Sequence, residues 1–147
     1  MLTQSFHNGS LMAYLTAAGN TRFGKCSGET TLSLMAQAAT RALAHADLKR
    51  ADIDGLLVSY SSTLPHFMLG TLFAEYYGLQ PRYSHAMQVG GATGFAMVML
   101  AHQLVQSGAA RNILVVSGEN RATGQSRDSA VAALAQDVKG LRVGLPK

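Results

Sequence analysis

The sequence predicts an α/β fold with a mainly parallel sheet and helices on both of its faces. Two continuous apolar runs, at residues 55–59 and 113–117, are typical of strands buried on both faces. The segments between the predicted strands are long enough for helices and have apolar residues three and four positions apart. Strands that alternate with such helices form parallel sheets through right-handed crossovers.

The first half of the chain gives these elements in order. Residues 1–10 are interpreted as a loose leader, and residues 11–17 as the first strand. A glycine-punctuated loop then leads to a helix that begins at Thr30 or Thr31, both credible N-caps, and ends near Ala46. The second strand covers 55–59. The second helix covers 67–77 and ends at Gly78, a residue suited to the left-handed position after a helix.

The second half is organised around a glycine turn. A third strand at 84–89 runs through Gly90 and Gly91 into a long apolar helix that opens near Ala92. Its core-facing stripe is predicted from the i, i+3, i+4, i+7 spacing, and consists of Phe95, Val98, Met99, His102 and Val105. A fourth strand follows at 113–117. The domain is expected to cover 11–121, and residues 122–147 to be a tail that can form a helix at 126–138 before a disordered end.

The composition limits the class of protein. Hydrophobic residues make up 48% of the chain and charged residues only 14%, against about 25% charged in an average globular domain. Surfaces covered by a partner chain or by further sequence are therefore expected. The net charge of +4 comes from scattered basic residues, which argues against a nucleic-acid partner. One cysteine, no signal peptide and no bilayer-length apolar run predict a soluble, cytoplasmic protein without a membrane span.

Candidate site residues lie where the predicted strands end. Ligands bind beyond the carboxyl ends of strands in parallel sheets, which places loops 19–28, 60–66, 90–93 and 118–121 on one edge. Free N–H groups and the dipole at a helix start favour an oxyanion, thiolate or phosphate. Gly90, Gly91 and Thr93 are therefore substrate-binding candidates. The alternatives are glycines that only permit close helix–strand approach and a threonine that only starts the helix.

Other reactive side chains carry weaker signals. His66, in the loop after the second strand, is a substrate-binding candidate, and a plain surface position is the alternative. His85 is predicted to be a core or interface residue, and His102 to pack on its helix. Cys26 has no neighbouring base and is interpreted as an ordinary thiol. Residues 119–121 either line the pocket, contact a partner subunit or form a solvated loop; no metal site is predicted.

Five stretches of the sequence are similar to segments of a known protein family and follow one another in the same order. They are Thr21-Arg-Phe-Gly-Lys25, the helix from Glu29 to Ala46, Asp52-Ile-Asp-Gly-Leu-Leu-Val58, Gln88-Val-Gly-Gly-Ala-Thr-Gly94 and Ala109-Ala-Arg-Asn-Ile-Leu-Val-Val-Ser-Gly-Glu119. Together they resemble the N-terminal half of the thiolase superfamily. The resemblance is greatest to sterol-carrier-protein-type thiolases and thiolase-like lipid-transfer proteins, the group often labelled acetyl-CoA acetyltransferases.

The resemblance implies a layered thiolase-like fold and acyl-CoA as the substrate, with no cofactor beyond it. The implied chemistry is acyl transfer, or carbon–carbon bond formation or cleavage, in lipid metabolism. The family's nucleophile motif, Cys-x-Ser-Gly, reads Gly91-Ala92-Thr93-Gly94 here. The catalytic histidine and second cysteine come from the family's second half, so this chain alone is expected to be inactive as a thiolase.

The resemblance also bears on partners. Family members pair through the third strand, so a homo-oligomer that pairs through residues 83–89 is expected. The alternative function is a non-catalytic assembly subunit that pairs with another thiolase-like chain or with an OB-fold partner. A Rossmann-like dinucleotide binder is a third reading, which the glycine spacing does not favour because it matches neither G-x-G-x-x-G nor a Walker loop.

Overall fold

The computed structural model describes residues 1–7 and 10–124. In these ranges the strands are β1 (Leu2–His7), β2 (Ser10–Leu15), β3 (Gly55–Ser59), β4 (Tyr83–Met87) and β5 (Asn112–Val116). The helices are α1 (Thr31–His45), α2 (Leu69–Tyr77), α3 (Thr93–Gln106) and the short α4 (Arg121–Gly124), with single 3₁₀ turns at Arg50–Asp52 and Gly90–Ala92.

The strands form one mixed sheet in the order β2-β1-β5-β3-β4. β3 is parallel to both β4 and β5, whereas β1 is antiparallel to both β5 and β2. Helices cover both faces. Leu56 and Val58 of β3 face the core that contains residues of α1 and α2, and Leu57 faces the core that contains residues of α3. The predicted α/β fold class is confirmed.

Local signals explain where the helices begin and end. The Thr30 hydroxyl accepts a hydrogen bond from the Ser33 N–H at 3.1 Å, and the Ser33 hydroxyl accepts one from the Thr30 N–H at 2.9 Å. This reciprocal capping box satisfies two backbone donors at the start of α1. Gly78 ends α2 at φ +72°, in the left-handed region where glycine is least strained.

The loose leader predicted at residues 1–10 is wrong. Leu2–His7 forms β1, which lies between β2 and β5, and Leu2 is only 4% exposed. The strand was missed because residues 1–10 contain few large apolar residues and no regular alternation. The predicted tail helix at 126–138 lies outside the described residues.

The core-facing stripe predicted for α3 is also wrong, except at Val105. The buried positions are Met97, Ala101 and Val105, four residues apart, whereas Phe95 is 79% exposed and Met99 69% exposed. Apolar residues lie on nearly every side of α3, so the period alone does not decide which side faces the sheet. The small side chain of Ala101, 0% exposed, lies in the sheet-facing core.

Candidate functional site

The carboxyl ends of the parallel strands β3, β4 and β5 meet at one edge of the sheet. There the Tyr60 N–H donates to the Met87 carbonyl at 2.9 Å, and the Ser59 hydroxyl donates to the Ser117 hydroxyl at 2.6 Å. The first loop reaches the same edge, because the Cys26 N–H donates to Thr123 Oγ1 at 2.8 Å. The grouping of loops expected from the sequence is therefore present.

The glycine turn between β4 and α3 is open to solvent. Gly90 has φ +66°, a conformation that favours glycine. A Cβ added at Gly90 or Gly91 would meet nothing within 4 Å. Close approach of helix and strand among the described residues therefore does not explain these glycines, and these residues leave room for an added atom beside each of them.

Thr93 holds this turn together. Its hydroxyl donates to the Gly90 carbonyl at 2.7 Å and accepts from the Val89 N–H at 3.0 Å. Ala92, the residue before α3, makes no side-chain cap. The Thr93 N–H is bonded to the Gly90 carbonyl through the 3₁₀ turn Gly90–Ala92, which runs directly into α3. The first N–H groups of a helical segment have no partner inside it, so the donors that favour a carbonyl or anionic oxygen at this end are those of the turn at Gly90 and Gly91.

The three histidines named above do not converge on this turn. His66 is exposed, and its Nδ1 accepts from the Met68 N–H at 3.2 Å beside the start of α2. His85 is exposed on β4, with its ring centre 6.5 Å from that of Tyr83. His102 is exposed on α3. The predicted packing of His102 is therefore wrong, as is a core position for His85.

Glu119 makes the polar contacts that sequence reasoning missed. Its carboxylate accepts from the Ser62 N–H at 2.7 Å and from the Thr63 hydroxyl at 3.0 Å. Arg121 Nε donates to Ser62 Oγ at 2.9 Å and lies 3.9 Å from Glu119 Oε2. Glu119 therefore joins the loops that follow β3 and β5. The acidic residue was visible in the sequence, but its partners are 56 and 57 positions away.

A cleft of about 320 Å³ lies beside Glu119 at this edge. Residues 19–24 line one side, and Ser117 and Glu119 line another. Cys26 is also in the lining but is only 3% exposed, with Sγ 3.5 Å from the Gly24 carbonyl. Glu119 therefore lines a cleft at this edge, but Gly90, Gly91 and Thr93 are not among the residues that line it.

No family model and no curated protein matches the chain. Solved structures do. An acetyl-CoA acetyltransferase from Syntrophomonas wolfei matches at 18% identity and TM-score 0.66, over 100% of this chain and 35% of the other. The 3-oxoacyl-[acyl-carrier-protein] synthase III from Aquifex aeolicus VF5 matches at 21% identity and TM-score 0.61, over 79% and 39%. A structure described as the Ltp2-ChsH2(DUF35) aldolase matches at 28% identity and TM-score 0.62, over 81% and 31%.

The chain has a thiolase-like fold. These neighbours are thiolase-like condensing and acyltransferase enzymes, and the chain spans about a third of the length of each. The resemblance stated from the sequence is confirmed at this level. In the described part of the thiolase-like chain, no helix has the length and apolarity needed to cross a membrane.

Proposed function

We propose that this chain is the acyl-CoA-binding N-terminal part of a thiolase-like protein. The reaction of that protein is acyl transfer, or the formation or cleavage of a carbon–carbon bond beside a thioester, in lipid metabolism in the cytoplasm. The observation that carries the proposal is the open turn at Gly90 and Gly91, in a fold common to condensing and acyltransferase enzymes. The proposal includes that this chain alone is inactive as a thiolase, because Gly91 stands at the position that the sequence resemblance gives to the nucleophile.

The chemistry follows from what the turn offers. N–H groups at the start of α3 donate to the thioester carbonyl oxygen and stabilise the negative charge that develops on it. Gly91 has no side chain to acylate, so the acyl group is not transferred to this position. In an aldol-type cleavage the bond between the α and β carbons breaks, the β-hydroxyl gives its proton to water and leaves as an aldehyde or ketone, and the thioester enolate then takes a proton from water; bond formation is the reverse. The same N–H donors stabilise the enolate, and no covalent intermediate is needed. The 28% identity to a structure described as an aldolase supports this route.

The substrate lies across Gly90, Gly91 and Thr93 in this proposal. Thr93 keeps the turn in place through its bonds to Gly90 and Val89. His66 is on the loop after the neighbouring parallel strand and contacts the distal part of the ligand. The proposed reaction uses acyl-CoA as the substrate and needs no cofactor and no metal ion.

The proposal includes a homo-oligomer that pairs through residues 83–89. β4 is at one end of the strand order. The Met87 carbonyl faces β3, and alternation along the strand turns the backbone groups of Ser84 and Ala86 outward. A second copy placed there extends the sheet across a two-fold axis.

Acyl-CoA titration in a calorimeter tests the binding site. Wild-type chain is expected to bind acyl-CoA saturably, and Gly91→Leu to weaken binding at least about tenfold by filling the open space (1.4 kcal/mol per tenfold). Gln103→Leu is the matched control, because Gln103 is exposed towards the other end of α3. Folded wild-type chain that gives no binding heat, or equal effects of the two substitutions, would contradict the proposal.

The alternative is a non-catalytic assembly subunit, favoured by the exposed apolar side of α3. Phe95, Val98 and Met99 are 79%, 40% and 69% exposed, and such patches often mark interfaces. Mixing the chain with a complementary C-terminal thiolase half separates the two functions. Restored acyl-CoA turnover supports the enzyme, whereas a stable complex without turnover supports the assembly subunit.

A further inference from the structure

In the part of the chain that the structure describes, β2 is an edge strand with one side unpaired. Among the described residues it pairs only with β1. The Thr16 N–H donates to the Met1 carbonyl of the neighbouring segment at 3.1 Å, so the backbone of residue 16 faces β1. In an antiparallel ladder alternate residues face the same neighbour. The backbone N–H and C=O groups of Met12 and Tyr14 therefore also face β1. Those of Leu11, Ala13 and Leu15 point outward.

This edge lacks the features that usually protect an edge strand. Ser10–Leu15 contains no charged residue and no proline, the two commonest protections against pairing with another strand. Its side chains are apolar and accessible, since Met12, Tyr14 and Leu15 are 40%, 42% and 69% exposed. An exposed apolar strand with free outward donors and acceptors is suited to bind a further strand.

The sequence of β2 is self-complementary about its centre. An antiparallel copy related by a two-fold axis at Ala13 places Ala13 opposite Ala13 of the second copy. The same register sets Leu11 opposite the copy's Leu15, and Met12 opposite the copy's Tyr14. Every cross-strand pair within residues 11–15 is then apolar, and the residue at the axis is small; Ser10 falls opposite the copy's Thr16. Paired apolar side chains of this kind stabilise antiparallel strands.

We propose that β2 is a self-pairing edge through which two copies of this chain associate as an antiparallel ladder centred on Ala13. The interface is isologous, because each copy offers the same strand to the other. It lies at the end of the sheet opposite β4, so it does not depend on acyl-CoA binding or on pairing through residues 83–89.

Two double variants that differ only in the sign of one charge test the register. Leu11→Lys with Leu15→Glu sets opposite charges against each other across the interface, twice. Leu11→Lys with Leu15→Lys sets like charges there instead. Both variants alter the same two positions, and any association through β4 is common to both. In the Ala86→Pro background, which removes pairing through β4, sedimentation equilibrium is expected to give a dimer dissociation constant about tenfold lower for the opposite-charge variant.

A third variant covers the case in which the charged variants fail to fold, which circular dichroism would reveal. Ala13→Pro removes an outward N–H and leaves the bonds of Met12 and Tyr14 to β1 in place. In the Ala86→Pro background, in which pairing through β4 is removed, adding Ala13→Pro is expected to give a monomer, whereas Ala86→Pro alone keeps the β2 dimer. Equal dissociation constants for the two charged variants, or undiminished pairing of the Ala13→Pro variant when Ala86→Pro is also present, would overturn the proposal.

Discussion

The Glu119 carboxylate lies 2.7 Å from the backbone nitrogen of Ser62, from which it accepts a hydrogen bond across two neighbouring strand ends. The contact joins residues 57 positions apart and fixes the loop after β3 against the loop after β5. The same carboxylate accepts from the Thr63 hydroxyl, which in turn lies 2.9 Å from the Thr31 hydroxyl at the start of α1. Glu119 thus stabilises the edge of the sheet that contains the candidate site.

Removal of this carboxylate is expected to destabilise the fold. Glu119→Ala removes the acceptor of the Ser62 N–H and Thr63 hydroxyl bonds and is expected to lower the free energy of unfolding by about 1 kcal/mol, the typical net contribution of a hydrogen bond. Urea denaturation measures this change in the free energy of unfolding. Glu75→Ala is the matched control, an exposed carboxylate on α2 whose loss should change stability by less than about 0.5 kcal/mol. Equal losses in the two variants would contradict the role given to Glu119.

Gly19 and Gly91 are expected to respond oppositely to a methyl group. A Cβ at Gly19 would collide with the Ala38 carbonyl oxygen and lie 2.5 Å from the Ala42 nitrogen, both in the backbone of α1. Gly19→Ala is therefore expected to cost about 1–3 kcal/mol through overpacking. Gly91→Ala meets open space and should change stability by less than about 0.5 kcal/mol. Urea denaturation of both variants decides this, and a tolerated alanine at position 19 would contradict it.

The sequence predicts elements whose signals are local. The buried strand at 55–59 has the predicted bounds because parallel strands covered on both faces are continuously apolar. Gly78 ends α2 as predicted because the left-handed conformation favours glycine. The fold class followed from the order of these elements.

Features that depend on distant partners were not predictable from the sequence. β1 is stabilised by its neighbours β2 and β5 rather than by an apolar alternation of its own. The buried side of α3 depends on which side meets the sheet, and apolar residues lie on nearly every side of that helix. The hydrogen bonds of Glu119 join loops far apart in the chain. The candidate turn at Gly90 was found because a strand, two glycines and a helix are adjacent in sequence.

The decrease in the free energy of unfolding at acid pH is expected to depend on Glu29. Hydrogen bonds from Ser33, at 2.5 Å, and from Gln37 hold the pKa of this carboxyl below its ordinary value of 4.5, with a smaller contribution from Arg22. A carboxyl whose pKa is lower in the folded state than in the unfolded state binds its proton more weakly when the protein is folded. Its stabilisation is therefore present above pH 4.5 and is lost as the pH falls through the folded-state pKa.

Glu29→Gln removes this titration. Urea denaturation at intervals between neutral pH and the acid limit should give a shallower acid decline of unfolding free energy for Glu29→Gln than for wild-type chain. The difference between the two curves should narrow as the pH falls. Parallel curves of unfolding free energy against pH for the two proteins would show that Glu29 does not contribute to the loss of stability at acid pH.

Pairing through β4 is expected to require the outward backbone of Ala86. Ala86→Pro removes an N–H that points away from β3, so it should block the addition of a second β4 strand at this edge. Size-exclusion chromatography with light scattering should show a lower mean mass for Ala86→Pro than for Ala86→Ser, the matched control that keeps the N–H. The measurement is made in the Ala13→Pro background to remove pairing through β2. Equal masses for the two variants would argue against the predicted interface at residues 83–89.

Gly91→Cys is expected to form a covalent adduct with acyl-CoA. The open space at Gly91 admits the side chain, and the start of α3 favours the thiolate form. The thiolate attacks the thioester carbonyl carbon, the bond between that carbon and the CoA sulfur breaks, and CoA leaves as a thiolate that takes a proton from water. Intact mass spectrometry should record the added acyl group on the variant but not on wild-type chain, whose Cys26 is buried.

Gln103→Cys provides the control for this reaction. The position is exposed on α3, so its thiol is accessible, but it is far from the free N–H groups at the helix start. Loss of a donor to the developing oxyanion typically slows acyl transfer by about 100-fold or more. The rate of acylation of Gly91→Cys should therefore exceed that of Gln103→Cys by at least about tenfold, which is less than the slowing expected from losing such a donor. Equal rates would mean that the turn does not polarise a thioester, and the proposed site would have to be abandoned.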